Sequence, residues 1–247
     1  MIGGVRVAEE DEITHDTLLR GRVKLFQPRR GFRSSLDPVL LAGFVVPPFG
    51  QFLDIGCATG ALSFLLLARD PTAHGVGVEI QPRLAALADK GVEANGLADR
   101  FRVASGDVRA KGIVPARTFD LVATNPPFRP VGAYVLSPLS EKAMANHEVT
   151  LALSEWLDVA AAALRPAGRL ATIFPFDRWE ELRSGLGERG FFVTRSRQVV
   201  SREGEAPNRI LVEAARVAVE AKVEPTLVVH DGSGYREEVR RMLGEEA

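Results

Sequence analysis

One cysteine, Cys57, stands among 247 residues. An internal disulfide is therefore excluded, as is any metal cluster built on several thiolates. No metal is expected, and a reducing compartment, the cytoplasm, is. Charge of one sign is missing too: 31 basic residues face 32 acidic ones, for a net charge of −1. No global field draws the molecule to nucleic acid or to an anionic bilayer, so such binding must come from a local patch. Apolar runs stay far short of the ~18 residues that a membrane span needs. The opening "MIGGVRVAEEDEITHD" has no basic segment followed by an apolar one, so neither a leader nor a membrane contact is expected. Lysine is scarce, five against 26 arginines. That bias suits bidentate phosphate contacts and also follows from GC-rich coding. Apolar residues are plentiful at 46%, enough to bury a full core.

From residue 51 onward, short apolar runs alternate with helical patterns, the signature of a parallel sheet covered by helices on both faces. "QFLDI", "HGVGVE", "FRVASGD" and "FDLVAT" are the first four strands, with "ALSFLLLARD" and "PRLAALADKGVEANG" as helices between the early ones. A longer amphipathic pattern, "LALSEWLDVAAAALRPAGR", predicts a helix stopped at Pro166 and Gly168, before a fifth strand "RLATIFP". "RWEELRSGLGERG" reads as a further helix. "FFVTRSRQVV" and "RILVEAARVA" follow with only "SREGEAPN" between them, too short for a helical crossover, so this pair is antiparallel. A weak strand "TLVVHD" and a helix "YREEVRRML" finish the chain.

Residues 1–45 follow a different pattern and are expected to be a basic extension packed on a core of residues 46–247. Between Thr17 and Leu36 lie Arg20, Arg22, Lys24, Arg29, Arg30 and Arg33 with no carboxylate. "SLDPVLLAGF" then predicts a short helix opening at Ser35 or Asp37, with Pro38 in its first turn.

"LDIGCATG" puts Asp54 at the carboxyl end of the first strand and Gly56 and Gly60 across the turn into a helix, where α/β sheets bind ligands. A dinucleotide site would carry G-x-G-x-x-G with a pyrophosphate on the helix N-terminus. Here the spacing is G-x-x-x-G, and Asp54 would repel a pyrophosphate. S-adenosylmethionine carries an ammonium and a sulfonium and no phosphate, so an acid suits it. Glu79, ending the second strand, can accept from both ribose hydroxyls; Asp107, ending the third, can accept from the adenine amine. Ala58 stands where a third glycine is common, and Cys57 reads as a wall of the turn without chemistry.

After the fourth strand comes "NPPF", Asn125, Pro126, Pro127 and Phe128. An exocyclic amine conjugated with a ring is a poor nucleophile. The Asn125 amide oxygen and the Pro126 carbonyl can both accept its N–H bonds and localise the lone pair. The two prolines fix φ and hold those acceptors rigid, and Phe128 offers a ring for a flipped-out base. Direct displacement then needs proximity and alignment and no tuned general base.

The chain here resembles the methyltransferases that modify planar nitrogens and carry N/D-P-P-Y/F. With "QPRRGFRSSLDPVLLAGF", "NPPFRPVGAYVLSPLSEKAMANHE" and "NRILVEAAR", it is similar, from about Leu19 to Leu243, to the bacterial tRNA1(Val) (adenine-37 N6)-methyltransferase family. The resemblance implies a Rossmann-like class I methyltransferase fold, with a seven-stranded mostly parallel sheet ending in an antiparallel hairpin. It implies S-adenosylmethionine as cofactor and an adenine in a tRNA anticodon loop as acceptor. The stretch Arg20 to Arg33 would contact tRNA phosphates, and Ser35 and Asp37 would lie near the methionine end of the cofactor. Residues 129–146 read as a substrate lid, and His147 and Glu148 have no catalytic role assigned. The tetrapeptide alone also serves guanine N2 and glutamine N5 acceptors, and a noncatalytic subunit or a dinucleotide oxidoreductase stand as rivals from other classes.

Overall fold

The computed structural model describes residues 13–126 and 151–245. Its first element is a hairpin with no counterpart in the sequence reading, β1 (Ile13–Leu18) paired antiparallel with β2 (Val23–Pro28). Val23 and Leu25 point into the core while Lys24 between them faces solvent, the period-2 alternation of a half-buried ribbon. Helix α1 (Asp37–Phe44) follows, with Pro38 in its first turn and the Ser35 hydroxyl accepting from the Asp37 N–H at 3.2 Å. Its buried side chains join those of β2 and of helix α2 (Ala61–Arg69) in one cluster.

The strands β3 (Gln51–Ile55), β4 (His74–Glu79), β5 (Phe101–Ser105) and β6 (Phe119–Thr124) stand as expected, with helix α3 (Pro82–Ala94) between β4 and β5. Then come α4 (Leu153–Ala163), β7 (Leu164–Pro175), α5 (Trp179–Glu188), β8 (Phe192–Val200), β9 (Arg209–Ala215) and β10 (Lys222–Val228). A two-residue hairpin, β11 (His230–Asp231) and β12 (Gly234–Tyr235), and helix α6 (Glu237–Met242) close the chain. The sheet order is β10-β8-β9-β7-β6-β3-β4-β5. β9 lies antiparallel between β7 and β8, as the short connection demanded.

Two expectations need correction. The sheet has eight strands, not seven, because β10 adds to the edge parallel to β8. Its sequence "KVEPTLV" carries Pro225 and Glu224 and buries only Leu227 fully. That pattern reads poorly as a strand and is tolerated at an edge, where the register breaks between Glu224 and Leu227. The second concerns the end of α4. The helix stops at Ala163 rather than at Pro166, since Leu164 already pairs with Phe119 of β6.

Apolar side chains of neighbouring residues go to opposite faces of the central strands. Phe52 and Leu121 join the α1–α2 side, while Leu53, Val122 and Phe174 join a second cluster with Trp156 and Leu157 of α4. Strands buried on both faces leave only their ends for polar chemistry. Among the described residues no helix is long and apolar enough to cross a membrane.

Candidate cofactor and acceptor site

At the carboxyl end of β3 the backbone enters the left-handed region three times, at Gly56 (φ 72°), Ala58 (φ 49°) and Gly60 (φ 87°). A Cβ on Gly56 would meet nothing within 4 Å, so glycine is needed there for its φ alone and the space above it is open. At Gly60 a Cβ would come within 2.5 Å of the Phe64 ring. Gly60 does not line the cavity described below; it closes the turn by donating to the Cys57 carbonyl at 2.8 Å. Gly60 thus shapes the turn through its packing against Phe64. Ala58 carries a side chain at a left-handed φ, which L-residues other than glycine avoid. Its N–H donates to Glu79 Oε2 at 2.9 Å, so β4 holds the turn in place.

Three acids sit at consecutive strand ends. Asp54 is 1% exposed, and its Oδ2 accepts from the Ser63 hydroxyl at 2.6 Å. Burial pushes its carboxyl up to about 7, opposed by the Ser63 bond and reinforced by the Glu79 charge. Glu79 is also raised by burial, against the Gln81 N–H at 2.8 Å and the Ala58 N–H, both of which favour its ionised form. Asp107, two residues past β5, is held below the usual carboxylate range by Arg109, whose guanidinium meets it at 2.7 Å and reaches Glu155 at 2.7 Å as well. Arg109 had no signal in the sequence, because Glu155 of α4 joins the group only through the fold. Burial pushes the Cys57 thiol up, consistent with an inert wall residue.

Asn125 follows β6, whose last residue Thr124 donates to the Ile55 carbonyl at 2.9 Å and so ties the two strand ends together. Among the described residues the buried Asn125 Oδ1 has no hydrogen-bond partner, and neither has the Thr59 hydroxyl in the glycine turn. Pro127 and Phe128, the 129–146 loop, His147 and Glu148 lie outside the described residues.

A cavity of about 830 Å³ gathers Ser35, Asp37, Asp54, Gly56, Ala58, Glu79, Asp107, Asn125 and Pro126 on one surface. It continues over the ends of β7 and β9, where Asp177, Arg178, Asn208 and Arg209 line it. None of the four was expected from the sequence; Asn208 and Arg209 reach the cavity only through the insertion of β9 beside β7. Arg209 Nε meets Asp37 Oδ2 at 3.3 Å, joining α1 to β9 across the cavity wall. The basic stretch is less uniform than its sequence. Arg33 pairs with Asp16 of β1 at 2.8 Å, and it, Arg20, Arg22, Arg29 and Arg30 are all exposed. Among the described residues no group of His, Cys, Asp and Glu could hold a metal ion.

Residues 37–175 match the family model described as "Methyltransferase small domain". A tRNA1(Val) (adenine(37)-N6)-methyltransferase from Porphyromonas gingivalis is 33% identical over 225 residues, covering 87% of this chain and 88% of that protein. The chain belongs to this methyltransferase family. The like-named protein of Dyadobacter fermentans is 30% identical, over 77% of this chain and 78% of its own length. Solved structures share the fold. A predicted O-methyltransferase from Agrobacterium tumefaciens aligns with a TM-score of 0.66 at 23% identity, covering 85% of this chain and 97% of that one. Pyrococcus horikoshii TYW2, in complex with MeSAdo, aligns at 0.58 and 14% identity, over 84% and 73%.

This methyltransferase uses S-adenosylmethionine, and the residues present fit that group. A buried carboxyl pushed up to about 7, with Glu79 beside it, suits a ligand carrying two positive centres. The Thr59 hydroxyl, unpartnered among the described residues, and the open space over Gly56 leave room for polar contacts to a ligand.

Proposed function

We propose that the protein methylates the N6 amine of an adenine in a tRNA anticodon loop, the acceptor named for its relatives, and that it does so in the cytoplasm. The observation that carries this reading is the Asn125 side chain. Its buried Oδ1 has no partner among the described residues, the residue lines the cavity at a strand end, and the preceding Thr124 ties that strand end to β3 by its bond to Ile55. An unpaired buried acceptor is costly, and an exocyclic amine entering the cavity would satisfy it.

Asp54, Glu79 and Asp107 would hold the cofactor's methionine and adenosine parts, with Gly56 and Ala58 forming the floor. Ser35 and Asp37 would close the methionine end. S-adenosylmethionine, when bound, supplies an electrophilic methyl group for direct displacement. Asn125 Oδ1 and the Pro126 carbonyl accept the two amine hydrogens and turn the lone pair toward the methyl position. Pro127 restricts the backbone and Phe128 stacks on the base. Alignment supplies most of the acceleration, and the alkylated nitrogen becomes acidic enough to lose its proton to solvent. Residues before about 46 serve as a basic extension that contacts tRNA phosphates through Arg20 to Arg33.

Labelled cofactor incubated with bulk tRNA, ribosomal RNA and release factor, followed by nucleoside mass spectrometry, tests the acceptor. N6-methyladenosine in tRNA is expected. Label confined to guanine or to protein would overturn the adenine reading.

A further inference from the structure

The β1–β2 hairpin reaches far from the cavity it leads to. Lys24 N–H donates to Asn95 Oδ1 at 2.8 Å and its carbonyl accepts from Asn95 Nδ2 at 2.7 Å, just past the end of α3 that lies away from cavity-lining Gln81. At the other end of β2, Gln27 Oε1 accepts from the Ser34 N–H at 2.6 Å, and Phe32 and Arg33 line the cavity. The basic stretch therefore splits in two. Arg29 and Arg30 sit at the cavity end, and Arg20 and Arg22 at the far tip. Seven residues of mostly extended chain separate Arg22 from Arg29, roughly 23 Å at ~3.3 Å per residue.

The tip is built at a conformational cost. Leu19 (φ 49°) and Arg20 (φ 55°) are both left-handed before Gly21, although a short hairpin loop can be made from glycine and asparagine. Side-chain-bearing residues persist in this region only where the surroundings hold them, and they cluster at functional positions. Here the hold is clear: Leu19 is 6% exposed and packs in the core, so close to Gly244 that a Cβ there would come within 3.0 Å of Leu19 Cα. That contact sets Gly244, just past α6, against the hairpin tip. Of the acids nearby, Glu237 is bonded to Arg241 and Glu245 follows the helix. Two exposed arginines, Arg20 and Arg22, thus stand on a tip that the C-terminal end of the chain holds in place.

We propose that this tip is a second RNA contact, which grips phosphates of the stem of the tRNA while Arg29 and Arg30 hold the loop strand that enters the cavity. The proposal rests on RNA being the acceptor. Arginine contacts to phosphate position a duplex without reading its sequence, and an RNA stem is recognised by its shape and backbone. A rigid stem carries phosphates across the gap between cavity and tip. A short unstructured loop oligonucleotide does not.

Fluorescence anisotropy on two RNAs tests this. One is a full-length tRNA carrying the acceptor adenine, and the other a single-stranded oligonucleotide of its anticodon loop. The R20Q/R22Q protein is expected to bind the tRNA roughly tenfold more weakly, with a slope of log affinity against log salt shallower by about two. Its Kd for the oligonucleotide should move less than twofold. R29Q/R30Q should weaken both RNAs, and R20K/R22K should recover most of the tRNA affinity because point charges suffice. Thermal melting of each variant separates lost charge from lost fold. An R20Q/R22Q protein with wild-type tRNA affinity and salt slope, or one that loses both RNAs equally, would overturn the proposal. Anisotropy needs no turnover. A wild type that binds tRNA through the tip but never methylates adenine would therefore sink the acceptor reading alone, and one with no tRNA affinity would sink both.

Discussion

The two halves of the cavity differ in how their acids and amide are satisfied, the Thr59 hydroxyl of the glycine turn apart. Over β3, β4 and β5 every carboxylate already has a protein partner: Ser63 for Asp54, two backbone amides for Glu79, and Arg109 for Asp107. Over β6 the Asn125 Oδ1 has none among the described residues. On the proposed reading, the first half is a cradle held in shape before ligand arrives, and the second offers an acceptor, unpaired among the described residues, to a substrate donor. Preorganised polar groups act without reorganising during the reaction, which is what a displacement aimed at one weak nucleophile requires. The sharpest way to break this contrast is Asn125→Ala. Turnover should fall by about 10²–10³-fold, the usual cost of losing one preorganised polar contact. Cofactor affinity measured calorimetrically without RNA should stay within twofold. Equal losses in both would erase the distinction between the halves.

The cradle side makes a pH-dependent prediction. Asp54 keeps its proton up to about pH 7 in the native protein, against an ordinary carboxyl value of 3.8. The native state therefore binds more protons than the unfolded one between those values, and this group makes the empty protein less stable as pH rises from about 4 to about 7. A cationic ligand prefers the ionised carboxylate, so cofactor affinity should rise with pH, about tenfold per unit below 7, and level off above. Asp54→Asn should flatten that profile and bind cofactor weakly at every pH. A wild-type affinity independent of pH between 5.5 and 8 would show that the cofactor's charge is met elsewhere.

How much of this was legible in the sequence follows the same division. Asp54, Gly56, Glu79, Asp107 and Asn125 were readable because each ends a strand and the strands follow one another in the chain. Asn208 and Arg209 were not, since they reach the cavity only because β9 runs back between β7 and β8. Sheet order is a long-range property that local periodicity does not carry. The β1–β2 hairpin was hidden for a different reason. Its buried alternation is short, and the charged residues between Thr17 and Leu36 dominate the segment. Asp16, one residue outside that window, pairs with Arg33 and reduces the charge that composition suggested. The eighth strand was read only as the weak strand "TLVVHD", without its first residues or its place in the sheet, because an edge position lets Pro225 and Glu224 stand in a strand whose pattern barely signals one.

The smallest effect is expected at Ala58, and it bears on how rigid the cradle is. The residue sits at φ 49°, a region that costs an L-residue with a Cβ about 1–2 kcal/mol. Ala58→Gly removes that cost but gives the unfolded chain more freedom, worth about 0.4–1 kcal/mol in the opposite direction. The net change should be a stabilisation between about zero and about 1.6 kcal/mol, read by denaturant unfolding. The Ala58 N–H bond to Glu79 survives the substitution, so the acid stays placed and cofactor affinity should change less than threefold. Ala58→Val keeps the same amide but puts a β-branched side chain at a positive φ, and it should lower both stability and cofactor affinity. If Ala58→Gly instead loosened cofactor binding as much as Asp54→Asn does, the methyl group itself would be a contact. The cradle would then depend on that side chain as well as on its backbone and acids.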